Sequence, residues 1–351
     1  MKKLKPAALL LTLLLIFSLI RPTNLYAESS FTVIDGIRYT IHEYNDTAFA
    51  TLTDDVTPMK EIHVRSNVTI NGVSYPVESF DFSVGFHRYG DWISQIDYED
   101  SHYVVKKGSW ADVLEKVTFD SGIQYIDFEC VNYKNLKEVS FDTTRSSLAF
   151  YNCPKLKRVS IGKNASCIPF IQKCPKVKIT IDPENPSYKV IGKDIYSKSG
   201  KTLYQVSSTK SKYKVRKGVT KIAIGAFQRN DYIKTLYLSD TVKIIQPNAF
   251  AQMKNLKHIK IGRSIKYCSL DVFYGCRKLK VITFPANVKS IDYGIFGEKS
   301  FHFKKIYINT KRLRYDYMKN IPKNCRIYVK NKSVKNQVRK NGFKGKIIIR
   351  R

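Results

Sequence analysis

Residues 242–261 read VKIIQPNAFAQMKNLKHIKI, and the chain repeats the pattern of this stretch in steps of 23 residues. The recurring apolar positions include Val219, Val242, Ile265 and Val288, and then Phe227, Phe250, Phe273 and Phe296. The pairs Leu236/Leu238, Ile259/Ile261 and Ile282/Phe284 keep the same step, and Ile306/Ile308 follows one residue late. The shared pattern is V-x-x-I-x-x-x-A-F, a polar bend, and then L-x-x-I-x-I. Several independent columns with one spacing indicate a structural repeat rather than chance.

This period predicts a stacked fold. One 23-residue coil cannot bury its apolar side chains alone, whereas stacked coils share a continuous core. A fixed period of roughly 20–29 residues with paired apolar positions is typical of leucine-rich repeats. The 23 Tyr and 19 Phe residues favour strands over helices. We therefore expect a β-rich leucine-rich-repeat solenoid of 23-residue repeats with few short helices, a β-hairpin island and terminal caps.

Changes in the period divide the chain into segments. The predicted segments are a signal peptide (1–27), a β-rich N-terminal cap with irregular coils (28–112), leucine-rich repeat block 1 (113–182), a β-hairpin island (183–218), leucine-rich repeat block 2 (219–308) and a basic C-terminal cap (309–351). Pro183 and Pro186 end block 1, because proline cannot donate a hydrogen bond to a strand neighbour. The island is expected to project from the solenoid. Within the C-terminal cap, residues 310–319 and 332–340 are each predicted to form a short basic helix.

The N-terminus has the pattern of a secretory signal peptide. Lys2, Lys3 and Lys5 precede an apolar run at 7–20, and Ala27 offers a small residue at the cleavage position. The run is short for a membrane span, although a retained anchor is an alternative. No later stretch reaches the length of a membrane helix. The sequence therefore predicts an exported protein with no integral membrane segment after signal removal.

The seven cysteines do not resemble a disulfide framework. Cys153, Cys174 and Cys276 each precede by three residues the Leu or Val that opens a repeat strand, and Met253 takes the same place in another coil. A position that alternates between Cys and Met is typical of a small buried apolar residue. We expect buried free thiols at these three positions, with pairing of Cys167 with Cys174, or of Cys268 with Cys276, as alternatives. No C-x-x-C or Cys/His spacing indicates a metal site.

The repeat resembles that of a known family. Residues 242–250 and 256–261, with Met253 in a position that is often Cys, are similar to the BspA-like leucine-rich-repeat family. The resemblance also covers the island at 186–217 and, more weakly, residues 31–75 and 326–349. It implies a secreted or cell-surface bacterial protein used in adhesion or extracellular binding.

Lysine follows the strand-opening apolar position in seven coils, at Lys137, Lys157, Lys178, Lys234, Lys257, Lys280 and Lys304. Equivalent positions of a solenoid stack ~4.8 Å apart, so these side chains would form a column of like charge. Together with a net charge of +32, the column favours a partner that presents a ribbon of negative charge. Solvated lysines that protect strand edges are the alternative. The predicted partner is an extracellular protein, a polyanionic glycan or a wall polymer.

Motifs for chemistry are lacking. The six histidines are scattered, and the chain contains no G-x-S-x-G, phosphate loop or H-E-x-x-H motif. We therefore predict no catalytic, cofactor-binding or metal residues, no cofactor and no specific nucleic-acid ligand. The predicted function is that of an exported binding or adhesion protein that recognises an extracellular macromolecule, with a polyanion as one candidate ligand. The alternatives are an envelope structural protein held on anionic wall polymer and an exported enzyme.

Overall fold

The structure is a computed structural model. It describes residues 31–42, 46–52, 57–82, 109–265, 267–268, 272–288, 290–291, 303–313, 315–316, 318 and 321–350. The predicted signal peptide and Phe296, the fourth member of the phenylalanine column, lie outside these ranges.

In the N-terminal part and block 1, the described residues form strands and one short helix. These are β1 (Phe31–Ile34), β2 (Ile37–Ile41), β3 (Ala48–Thr51), β4 (Glu61–Val64), β5 (Asn67–Ile70), β6 (Val73–Phe82), α1 (Trp110–Val113), β7 (Lys116–Phe119), β8 (Tyr125–Val131), β9 (Glu138–Phe141), β10 (Arg145–Tyr151), β11 (Arg158–Ile161), β12 (Phe170–Gln172) and β13 (Lys178–Ile181). These strands form two sheets that run through the N-terminal part and block 1. One is ordered β4-β7-β9-β11-β13, and the other is ordered β1-β2-β3-β6-β8-β10-β12, with β5 paired to β6.

The island, block 2 and the C-terminal cap continue this arrangement. Their elements are β14 (Tyr188–Ile191), β15 (Asp194–Ser197), β16 (Thr202–Gln205), β17 (Lys212–Lys214), β18 (Lys221–Ile222), β19 (Thr235–Tyr237), β20 (Ile244–Ile245), β21 (His258–Lys260), β22 (Tyr267–Cys268), β23 (Val281–Phe284), β24 (Ser290–Ile291), β25 (Lys305–Ile308), β26 (Tyr315–Asp316), β27 (Arg326–Val329), α2 (Lys332–Lys340) and β28 (Lys346–Ile349). One sheet runs β14-β15-β16-β18-β20-β22, and a second runs β17-β19-β21-β23-β25-β27-β28. Strand β24 pairs with β26.

The sequence columns become stacked side chains in the core. In block 1, parallel register aligns Val117 with Val139 and Val139 with Val159, and all three are buried. In block 2, the rings of Phe227 and Phe250 lie 5.4 Å apart between centroids, and Phe250 and Phe273 lie 5.6 Å apart. Because each coil buries its apolar residues against the next, the core runs along the stack. The predicted β-rich solenoid with few helices is confirmed.

The island does not project from the solenoid, so that prediction is wrong. Strands β14, β15 and β16 form an antiparallel meander, but β16 pairs in parallel with β18, and β17 pairs in parallel with β19. Ile195 packs into the core of block 1, and its neighbour Tyr196 packs into the core of block 2. The island therefore supplies the first strands of both block 2 sheets, whose exposed edges would otherwise lack partners.

One of the two predicted helices of the C-terminal cap is confirmed. Helix α2 begins after Asn331, whose side-chain oxygen accepts a hydrogen bond of 2.9 Å from the backbone N–H of Val334. The prediction of a helix over 310–319 is wrong, because Tyr315 and Asp316 form β26 instead. The unpaired edge of β24 provides ladder hydrogen bonds there, and pairing overrides local helix propensity. Neither α1 nor α2 is long and apolar enough to cross a membrane.

The repeat-phased cysteines Cys153, Cys174 and Cys276 are buried free thiols, as predicted, and Cys167 is also free. The thiol of Cys276 donates to the carbonyl of Phe250 at 3.1 Å. Burial raises the pKa of Cys276 to about 12. Because Cys167, Cys174 and Cys276 are all free, the predicted alternatives of a Cys167–Cys174 or a Cys268–Cys276 bond are wrong.

Candidate functional site

Four of the seven predicted lysines form one continuous column in block 2. Register pairs Thr235 with His258, His258 with Val281, and Val281 with Lys305, so the residues that precede them stack in the same order. These preceding residues are Lys234, Lys257, Lys280 and Lys304, and all four side chains are exposed. Backbone hydrogen bonds of 2.8 Å join Lys257 to Lys234 and Lys304 to Lys280. The column lies at the sheet margin where β19, β21, β23 and β25 begin.

In block 1, acidic neighbours offset the lysines. Lys137 and Lys157 stack through a backbone hydrogen bond of 2.8 Å, but the position next to Lys137 is Glu115. The Lys137 ammonium forms an ion pair with Glu115 and lowers the pKa of that carboxyl by its hydrogen bond. On the adjoining strand positions, Lys116 pairs with Glu61 at 3.5 Å. Two lysines of this edge of block 1 are therefore compensated by carboxylates.

Lys178 leaves the predicted column. Register pairs Lys178 with Arg158, while the backbone N–H of Lys178 donates to the carbonyl of Lys157 at 2.8 Å. This coil is shorter by one residue between its apolar positions, so the lysine moves one position along the strand. Because side chains of a strand alternate between two faces, a single-residue shift changes what each residue faces.

Two further columns cover the outer face of the seven-stranded sheet of block 2. Register gives the first as Lys212, Thr235, His258, Val281, Lys305, Arg326 and Lys346, and the second as Lys214, Tyr237, Lys260, Thr283, Tyr307, Tyr328 and Ile348. Together with the four marginal lysines, these positions form what we call the basic face. It contains ten Lys or Arg residues and no Asp or Glu.

The corresponding outer column of block 1 has mixed charge. In the order of the stack it reads Glu61, Lys116, Glu138, Arg158 and Lys178. Opposite charges on adjacent strands stabilise a sheet, whereas like charges destabilise it. Positive potential is therefore concentrated on block 2, where no carboxylate of the same face offsets it.

Aromatic rings lie among the cations of the basic face. Tyr237 is 40% exposed, and the rings of Tyr307 and Tyr328 stack with centroids 4.7 Å apart. The guanidinium of Arg350 lies 4.7 Å from the centre of the Tyr307 ring. Flat rings beside cations present apolar and charged surface together. Sequence reasoning noticed Tyr328 among the basic residues of the C-terminal cap but missed Tyr237 and Tyr307. The alternation K-x-K, T-x-Y, H-x-K and K-x-Y along β17, β19, β21 and β25 places those two rings on the outer face.

Away from the basic face, the buried pair of Asp194 and Tyr213 has a structural role. Among the described residues, no group of three His, Cys, Asp or Glu side chains could hold a metal ion. The phenol of Tyr213 donates to Asp194 Oδ2 at 2.6 Å inside the core, and the backbone N–H of Ser207 donates to Oδ1 at 3.0 Å. Burial raises the pKa of Asp194. This pair joins β15 to the following strands.

Parallel coils with a 23-residue period and open sheet faces define a leucine-rich-repeat solenoid. The profile of the BspA type leucine rich repeat region matches in six copies over residues 87–202 and 199–323, which is more than half of the chain. The chain belongs to this family. The match indicates a repeat scaffold rather than an enzyme family.

Solved structures of bacterial repeat proteins are similar in fold. The pneumococcal vaccine antigen PcpA is 17% identical, with 92% of this chain and 99% of that chain covered and a TM-score of 0.44. A leucine rich cell surface protein from Faecalibacterium prausnitzii is 17% identical, with 88% and 97% covered and a TM-score of 0.39. A leucine-rich repeat protein from Eubacterium ventriosum is 15% identical, with 92% and 84% covered and a TM-score of 0.46. No curated protein matches this chain.

Proposed function

We propose that this protein is exported, is associated with the bacterial cell surface, and binds a polyanionic extracellular macromolecule through its basic face. The observation that carries the proposal is the set of ten Lys and Arg residues on that face without a carboxylate. The signal-peptide pattern and the BspA-type family support export to the surface. Solenoids of stacked repeats commonly use such extended surfaces for binding.

The lysine column at the margin of the block 2 sheet favours a role in binding over a role in solubility alone. Two unit charges ~4.8 Å apart in water repel by about 0.9 kcal/mol. Screening by salt, with a Debye length of ~8 Å, reduces this repulsion to roughly half. Side chains that spread apart reduce the repulsion further. Solubility requires surface charge but does not require four stacked lysines without an acidic partner, whereas in block 1 Glu115 pairs with Lys137. A negatively charged polymer along the stack would offset the repulsion at every coil.

The test is charge reversal on each block. The variant Lys234→Glu/Lys257→Glu/Lys280→Glu reverses three of the four charges in the lysine column of block 2. The matched control Lys116→Glu/Lys137→Glu/Lys157→Glu makes the same change in net charge on block 1. Binding to heparin, a sulfated glycan, is measured by calorimetry from about 0.15 M salt upward. We expect the block 2 variant to bind at least about tenfold more weakly, with a smaller dependence on salt, because fewer ligand charges are neutralised.

The control variant is expected to keep most of its affinity for heparin. Equal losses in both variants would mean that heparin responds to net charge rather than to the basic face, and would refute the proposed site. Anionic wall polymer presents the same chemistry and would give an envelope structural protein instead. Release of the protein from cells by salt alone would favour that second function.

A further inference from the structure

A polar cleft lies where block 1 meets the island and block 2. Its cavity of ≈ 30 Å³ is lined by Gln172, Lys173, Ser207, Arg229 and Tyr232, among others. Gln172 and Arg229 are buried, whereas Tyr232 is 39% exposed, so the cleft opens to the surface at one end. The volume holds about two water-sized groups. This site is distinct from the basic face.

The cleft exists because the stack is interrupted at this turn. Asn152, Lys173 and Arg229 have left-handed backbones, with φ of 54°, 52° and 57°. Within block 1, the backbone N–H of Asn152 donates to the carbonyl of Gln172 at 3.0 Å and holds adjacent coils together. At the junction, the side-chain amide of Gln172 spans the gap instead and donates to the carbonyl of Gln228. A side chain in place of a direct backbone contact leaves space between the coils.

Two buried polar atoms in this region lack partners among the described residues. They are the amide oxygen of Gln172, a residue that is only 7% exposed, and the hydroxyl of Ser207. Buried polar groups are nearly always hydrogen-bonded, because an unmet group is costly. The amide oxygen only accepts hydrogen bonds, so its ligand partner must be a donor such as a hydroxyl.

Two cations converge beside the cleft. Lys173 Nζ lies 4.9 Å and the Arg229 guanidinium 5.8 Å from the centre of the same Tyr151 ring. Asp231 is close enough to both for their charges to lower its pKa, although burial dominates and raises it. The Asp231 carboxylate also accepts a hydrogen bond of 3.0 Å from the backbone N–H of Lys254. Two cations and one carboxylate leave a positive balance that suits an anionic ligand group.

We propose that this cleft binds the carboxylate-and-hydroxyl edge of an acidic sugar. Lys173 and Arg229 attract the carboxylate, and Gln172 and Ser207 bond the neighbouring hydroxyl. One carboxylate and one hydroxyl fit a cleft whose volume holds about two water-sized groups. Tyr232 at the mouth presents a ring face to the remainder of the sugar. A neutral sugar lacks the charge, and inorganic sulfate lacks the donor, so neither satisfies both halves of the cleft.

Three probes separate these requirements. Calorimetric titration of the intact protein uses D-glucuronate, which has carboxylate and hydroxyls, D-glucose, which has hydroxyls alone, and sulfate, which has charge alone. We expect glucuronate to bind with a Kd of about 1 mM, as suits a small site with few contacts. Glucose and sulfate are expected to bind at least about five-fold more weakly. No binding of glucuronate, or binding of either comparator as tightly as glucuronate, would overturn the proposal.

Two variants locate the binding. Ser207→Ala removes a hydroxyl without a described partner and should weaken glucuronate binding about five-fold. Lys173→Asn should weaken it about tenfold, and it preserves the turn because Asn152 has the same left-handed backbone. Lys176→Asn is the matched control, since Lys176 is exposed on the same coil and outside the cleft. We expect the control to leave the affinity unchanged.

An equal loss in Lys176→Asn, or unchanged affinity in both cleft variants, would assign the binding elsewhere and overturn the proposal. Heparin binding through the basic face serves as the second readout. Lys173→Asn should leave heparin binding nearly unchanged. The block 2 charge reversal should leave the affinity for glucuronate within about two-fold of the native value. Failure of one proposal is therefore distinguishable from failure of the other.

Discussion

Asn185 is a fully buried side chain that ties the end of block 1 to the island. Its amide nitrogen donates to the carbonyls of Gly162 and Ala165 at 2.9 and 2.8 Å. Its amide oxygen accepts from the backbone N–H groups of Ser187 and Tyr188 at 3.0 and 2.9 Å. One side chain therefore satisfies four backbone groups at the point where the repeat changes.

Asn185→Ala leaves those four groups without partners. At about 1 kcal/mol for each, the lower end for a buried unsatisfied group, the free energy of unfolding should fall by about 4 kcal/mol. Asn185→Asp keeps the two accepted bonds but turns a carboxylate oxygen toward two carbonyl oxygens. Burial and these carbonyls raise the pKa of the new carboxyl, so the folded state binds a proton more tightly than the unfolded state. The stability of this variant should therefore rise, relative to the native protein, as pH falls.

Chemical denaturation followed by circular dichroism at pH 7 and pH 4 measures both effects. Asn164→Ala is the matched control, because Asn164 is exposed and its side chain makes one hydrogen bond of 2.8 Å to Asp142. We expect a loss of under about 1 kcal/mol for this control. An Asn185→Ala variant as stable as the control would refute the assigned role of the four bonds. An Asn185→Asp variant that loses stability relative to the native protein on acidification would refute the pH argument.

Two further predictions concern buried titratable groups. Tyr213→Phe removes the phenol that donates to Asp194, which should cost about 2 kcal/mol in denaturation at pH 7. Burial already raises the pKa of Asp194, and loss of this hydrogen bond raises that pKa further. The stability of the variant should therefore fall more steeply than that of the native protein as pH rises above about 4. An equal pH dependence of the free energy of unfolding in the two proteins would contradict this. Cys276, with a pKa raised to about 12, should resist alkylation at about pH 8 until the protein unfolds. Rapid labelling of the folded protein, read by mass spectrometry, would contradict its burial.

The core of block 2 could be predicted from the sequence because a solenoid converts a period into a contact. Phe227, Phe250 and Phe273 are equally spaced in sequence, and their rings are neighbours in the structure. The turns and strands of the island were predictable for the same local reason. Its pairing with block 2 was not, because the partner of a strand depends on which sheet edges are free in three dimensions.

The candidate site was partly predictable. The period of block 2 predicts the column of Lys234, Lys257, Lys280 and Lys304. In the structure, these residues lie next to one another on adjacent strands. The compensation of Lys137 by Glu115, by contrast, depends on which side chains of adjacent coils meet. The displacement of Lys178 depends on a coil that is one residue shorter.

The sequence alone determined the class of fold, the apolar columns and the family, because each is written in a pattern that recurs within 23 residues. Only the tertiary structure decided which positive charges are offset and where the coils separate. Those properties arise between residues on different coils, such as Lys305 beside Arg326 on the basic face. The cleft beside Gln172 and Arg229 arises at the one place where block 1 gives way to block 2 through an inserted meander. Periodicity describes what neighbouring coils share, whereas charge balance and binding clefts depend on where they differ.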